Sequence, residues 1–88
     1  MGYPTMLALH GIDEDTLQEV LNEYGDANEK FKPFNSTHEG YAVLLEEFDE
    51  LWEMVKTSPK KMPEQPTRMR KEAIQVAAMA LRFLHDCC

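Results

Sequence analysis

The sequence predicts an all-α chain of three main helices per chain, completing a helical bundle by homo-oligomerisation. Three observations predict it. Apolar residues recur at helical i, i+3, i+4, i+7 spacing in three separate segments. Loop and linker signals separate those segments, at Pro33-Phe34-Asn35-Ser36 and across Thr57 to Pro66, which contains three prolines. The third segment is apolar on two sides, in a chain of 88 residues that has little else to cover it. A chain of this length buries only about 60% of its unfolded surface and is marginal alone.

The whole chain, 1–88, reads as a single domain. Pro4 and Gly11 mark an irregular N-terminus over 1–12. The first helix is expected over about 13–31. Asp13, Glu14 and Asp15 favour its positive end, and Leu17, Val20, Leu21 and Tyr24 form its stripe, extended by Ala27 and Phe31. Gly25 interrupts this pattern and is read as a fault, costing roughly 1 kcal/mol relative to alanine.

The second helix is expected over about 37–57. Ser36-Thr37-His38-Glu39 is a capping box, in which Ser36 accepts from the Glu39 amide and Glu39 reaches back. Tyr41, Leu44, Leu45, Phe48, Leu51, Trp52 and Val55 then form one apolar stripe. Val43, Glu47 and Met54 lie on its flank, and Glu39, Glu46, Glu50 and Glu53 lie opposite. A linker over 58–66 leads to the third helix, over about 67–86. There Ile74, Ala77, Ala78 and Leu81 make one face, and Val76, Met79, Ala80 and Phe83 another. Three helices cannot cover both faces well, whereas two copies can. A homodimer or homotetramer is therefore expected.

Charge narrows the function classes. The net charge is −7, divided into −10 over residues 1–56 and +3 over 57–88. An acidic surface repels phosphate backbones, and the basic segment Lys60, Lys61, Arg68, Arg70, Lys71 holds no aromatic residue to stack a base, so no nucleic-acid partner is expected. No basic region followed by an apolar core opens the chain, and the longest uncharged apolar stretch, Ala73 to Leu81, is too short for a membrane span. The only cysteines, Cys87 and Cys88, are adjacent and read as a frayed tail of reduced thiols; a cytoplasmic protein with no membrane partner is expected. His10, His38 and His85 have no metal-ligand spacing. Trp52 and the methionines read as core.

The chemistry-bearing segment is Glu46-Glu47-Phe48-Asp49-Glu50. Glu46 and Glu50 are four apart and Glu47 and Glu50 three apart, so a helix lets these carboxylates converge. Like charges at that spacing repel, and a cation reverses the sign. Hard oxygen ligands suit Mg²⁺ or Mn²⁺. The plain alternative is a solvated acidic face. Against it stand the firmly placed apolar helix and Glu72, a carboxylate on a helix expected to be buried.

Glu46-Glu47-x-x-Glu50, then about twenty residues, then Glu72-Ala73-Ile74-Gln75 resembles the signature of the MazG-like all-α nucleoside triphosphate pyrophosphohydrolases, E-E-x-x-E followed on the next helix by E-x-x-D. His38-Glu39-Gly40-Tyr41-Ala42-Val43 and Ala73 to Phe83 also look like small phage and bacterial members. The resemblance covers roughly Phe31 to Asp86. It departs from the family at Gln75, where an amide replaces an acid; an amide oxygen can still coordinate Mg²⁺ or hold a water but supplies no negative charge.

The resemblance implies hydrolysis of a nucleoside triphosphate, often a deoxynucleotide, to the monophosphate and pyrophosphate. It implies Mg²⁺ held by Glu46, Glu47, Glu50 and Glu72, with Gln75 weaker. Glu47 and Glu50 are both candidates to orient the attacking water. Base contact is implied near the end of the first helix, with Phe31 first, and Asn35 or His38 as edge readers. Phe34 serves either that role or as an apolar staple at the start of the second helix. Arg82, Lys56, Lys60 and Lys61 are the candidates to meet phosphate, although Arg82 and Asp86 also read as a surface i, i+4 pair. Two further functions fit the sequence: a catalytically weak relative that sequesters nucleotides or regulates, and a plain helical interaction domain.

Overall fold

In a computed structural model, which describes residues 11–88, the chain forms three helices: α1 (Glu14–Lys30), α2 (Thr37–Lys56) and α3 (Gln65–Cys87). No strand occurs among the described residues. His10 and most of the irregular N-terminus expected over 1–12 lie outside them.

Each helix begins where local chemistry satisfies its first amides. Asp13 caps α1 by accepting from the Thr16 amide at 2.7 Å. Gly25 does not interrupt the helix, which runs on to Lys30 and buries Ala27. Ser36 caps α2, accepting from the Glu39 amide at 3.0 Å. Glu39 reaches back one residue further than a capping box requires, accepting from the Asn35 amide at 2.7 Å and its side-chain amide at 3.2 Å. α3 starts two residues before its expected position, with Pro66 in its first turn, where a missing amide hydrogen costs nothing. Buried Gln65 donates to the Met54 carbonyl at 2.6 Å and so satisfies an acceptor near the C-terminal end of α2. Cys87 is the last residue of α3 and not part of a frayed tail; its thiol lies 3.8 Å from the Ser36 carbonyl.

α3 packs against both other helices. The buried apolar residues are Ala27, Ala78 and Met79, with Tyr24, Val43 and Leu44 packed against them. Every residue from Ile74 to Phe83 is buried or half-buried. One chain therefore goes far toward covering both faces of α3, contrary to the expectation that two copies are required there. The uncovered surface lies on α2 instead. Its apolar stripe divides: Leu44 and Leu51 are half-buried, while Tyr41, Leu45, Phe48, Trp52 and Val55 are exposed. Trp52, expected in the core, is 56% exposed. The buried side of α2 is rotated toward the flank that carries Gly40, Val43, Glu47 and Met54.

Gly40 explains the rotation. A Cβ there would lie 2.8 Å from Cδ2 of Phe83 and 3.0 Å from Cδ2 of Phe34, closer than packed atoms approach. The absent side chain lets both rings press against the α2 backbone. At Gly25 nothing lies within 4 Å of the same added atom. Gly40→Ala is therefore expected to destabilise the fold by about 1–3 kcal/mol through overpacking, despite alanine's better helix propensity. Gly25→Ala is expected to stabilise it by up to about 1 kcal/mol. Urea unfolding of the two variants beside the parent checks the opposite signs.

Candidate metal centre and adjoining cavity

Three carboxylates meet where α2 faces α3. One oxygen from each of Glu47, Glu50 and Glu72 lies within 4.8 Å of the others. Glu47 and Glu50 are one turn apart on α2, and α3 brings Glu72 alongside. Glu50 is exposed, whereas Glu47 and Glu72 are half-buried. Glu46 is exposed and stands outside this group, so the E-E-x-x-E pattern contributes its second and third acids to the cluster.

Glu47 carries the electrostatic burden. Its Oε2 is shut off from solvent and has no hydrogen-bond partner. Burial first, then the Glu50 charge and a proton shared with Glu50, then the Glu72 and Glu23 charges, push its carboxyl up to about 7. A carboxyl with one buried, unpartnered oxygen among like charges is the arrangement a cation relieves. The oxygen donors are of the hard type that Mg²⁺ and Mn²⁺ take, so the residues fit such an ion.

Glu47 also lines a cavity of about 580 Å³ that runs between the C-terminal half of α1, the 31–36 loop, α2 and α3. Gln75 lines it beside Met79 and Arg82. Phe31, Phe34 and Asn35 line it from the loop. Phe31 is 60% exposed, and the Asn35 side-chain amide is engaged by Glu39. Phe34 is half-buried and serves both readings, resting against the Gly40 backbone while also lining the cavity.

Arg82 is 3% exposed and holds the loop in place. It donates to the Lys32 carbonyl at 3.0 Å and stacks 4.4 Å from the Phe34 ring and 5.8 Å from the Phe31 ring. Its Nε is buried and unpartnered. Asp86 lies 4.0 Å from its guanidinium, but both side chains are nearly inaccessible, so the expected surface pair is a buried one. Asp86 also accepts from the Phe34 amide at 3.0 Å. The His85 hydrogen bond and that amide hold its carboxyl below the usual range.

His38 and Lys56 do not line the cavity. Lys56 pairs with Glu53 at 2.9 Å and lies over the Trp52 ring. Lys60 and Lys61 are exposed in the linker. Four charged residues absent from the sequence-based expectation do line it: Glu23, Asp26, Lys30 and Lys32. Glu23 stands one turn from both Val20 and Ala27 on α1, which was the available signal that it faces inward. No family model, curated protein or solved structure matches the chain.

The raised Glu47 carboxyl has a consequence for the metal-free protein. Its folded-state pKa lies above that of the unfolded chain, so its contribution is most favourable at low pH and is lost as pH rises from about 4.5 to about 7. Glu47→Gln, which imitates the protonated carboxyl, is expected to be more stable than the parent at about pH 8, with the gap narrowing toward about pH 4.5. Denaturant unfolding in the presence of a chelator at several pH values measures that gap; a gap independent of pH refutes the assignment.

Proposed function

We propose that this chain is a Mg²⁺-dependent nucleoside triphosphate pyrophosphohydrolase of the MazG-like kind, acting as a helical homo-oligomer and yielding monophosphate and pyrophosphate. The observation that carries the proposal is the convergence of Glu47, Glu50 and Glu72 around a buried Glu47 oxygen that has no partner, at the wall of a cavity large enough for a nucleotide moiety. Glu47, Glu50 and Glu72 would hold Mg²⁺ or Mn²⁺, which when bound neutralises phosphate charge and lowers the pKa of a coordinated water.

The chain's own residues supply position and proton handling. Glu47 and Glu50 are both candidates to orient the attacking water beside the bound ion. Arg82, expected from the sequence, provides positive charge on the cavity wall together with Lys30 and Lys32, whereas Lys56 does not line it. Phe31 offers an exposed ring at the same wall for base contact. Gln75 favours a second reading, nucleotide binding with weak or no turnover, because a neutral amide stands in the cavity where the family carries an acid.

Incubation with each common ribo- and deoxynucleoside triphosphate and Mg²⁺ separates the two. Release of pyrophosphate and monophosphate is expected, and Glu47→Ala should lower it by about 100-fold or more with helicity retained. No turnover with any nucleotide overturns the hydrolytic reading. A melting temperature unmoved by Mg²⁺ plus nucleotide overturns the sequestering one as well. Gln75→Asp is expected to tighten Mg²⁺ binding measured by calorimetry.

A further inference from the structure

The large apolar side chains that α2 leaves in solvent form an ordered set. Tyr41, Leu45, Phe48, Trp52 and Val55 are spaced four, three, four and three residues apart, the repeat of a seam between paired helices. At about 100° per residue they occupy an arc of about 80° along four turns of helix. Their exposure ranges from 44% to 62%. With aromatic side chains contributing about 150–250 Å² each when fully covered, the strip offers on the order of 500 Å². That is near the top of what a monomer exposes in one patch.

We propose that this strip is the contact between two copies of the chain, with the two α2 helices antiparallel and the two-fold axis passing at Phe48. Area supports a second copy as the occupant. Two such strips bury on the order of 1,000 Å² together, the lower bound for a specific interface. The core also calls for one, since no large side chain among the described residues is fully buried. Side-chain volume sets the direction. Antiparallel pairing about Phe48 places Tyr41 against Val55 of the other copy and Leu45 against its Trp52. Large thus meets small toward both ends of the seam, and the two Phe48 rings meet each other at its centre. Parallel pairing would set the two Trp52 rings together and leave a gap between the two Val55 side chains, which close packing disfavours.

The carboxylates remain accessible in this arrangement. Glu50 lies about 180° and Glu47 about 120° round α2 from the centre of the strip. The inference rests on the homo-oligomer reading and not on the hydrolytic one.

Trp52 is the only tryptophan of the chain and reports the contact directly. Sedimentation equilibrium of the full chain is expected to show at least a dimer at micromolar concentration. Dilution should shift Trp52 emission to the red as the dimer parts. Phe48→Glu should abolish the dimer while circular dichroism still shows helix; Glu53→Lys, on another side of α2, should leave it intact. A chain that is monomeric at 100 μM overturns both the face and the oligomer. An oligomer untouched by Phe48→Glu or by Leu45→Asp overturns the face alone. The direction is tested with Cys87→Ser and Cys88→Ser as background and copper-phenanthroline as oxidant. Tyr41→Cys combined with Val55→Cys should cross-link two chains, and neither change alone should do so. Cross-linking by either single cysteine overturns the antiparallel arrangement.

Discussion

The close approach of α3 to α2 at Gly40 sets the position of much of the rest. Phe83 and Phe34 both press on the backbone that a side chain would otherwise cover. With Phe34 seated there, its amide meets Asp86 and its ring stacks on Arg82, which in turn donates to the Lys32 carbonyl. The short connection between α1 and α2 is thus tied to the last turns of α3 by three separate contacts. The same approach turns α2 about its axis, so that Val43, Glu47 and Met54 face inward and the outer part of the apolar stripe faces solvent. The close approach at Gly40 is thus consistent with the side of α2 that faces inward and the side that stays in solvent.

Turning Glu47 inward has an energetic cost that the rest of the site does not offset. Glu50, Glu72 and Glu23 all add to the burial penalty on its carboxyl. The cationic residues of the cavity stand with the loop: Arg82 is committed to the Lys32 carbonyl and the Asp86 carboxylate. The cavity thereby carries both signs of charge: Glu23, Asp26, Glu39 and Glu47 line it from α1 and α2, and Lys30, Lys32 and Arg82 from the loop region and α3. Uncompensated carboxylates are poor for stability and suited to a ligand that brings its own positive charge. A triphosphate with its counter-cation, the ligand proposed above, brings both signs of charge to such a wall, so the acidic composition does not argue against that proposal.

Much of this was legible in the sequence because it depends on local chemistry. Asp13 and Ser36 mark their helices by hydrogen bonds spanning three residues. Glu47 and Glu50 share a face through helix period alone, and Glu72 joins them because α3 packs along α2. The rotation of α2 was not legible. Its apolar arc is broad enough to be buried at either edge, and the choice is made by Gly40 meeting Phe83, residues more than forty positions apart. Trp52 reads as core for that reason and lies outside it, with Phe48 of the same stripe also exposed. Glu23, Lys30 and Lys32 were missed because their role depends on where α1 and its following loop rest against α3, which no repeat within α1 encodes.

Both faces of α2 then bear on function. On the inner side it carries two of the three clustered carboxylates, and on the outer side the apolar strip. A helix held mainly by α3 along one edge has little buried apolar area with which to fix the Glu47 and Glu50 side chains against mutual repulsion. Covering the strip with a second copy adds burial on the far side of the same helix without occluding the acids. In the proposed dimer the carboxylates that resist convergence would be positioned by an interface that does not touch them. In the proposed dimer, assembly and site are coupled through one helix, and weakening the seam is expected to loosen the carboxylate cluster before it unfolds the chain.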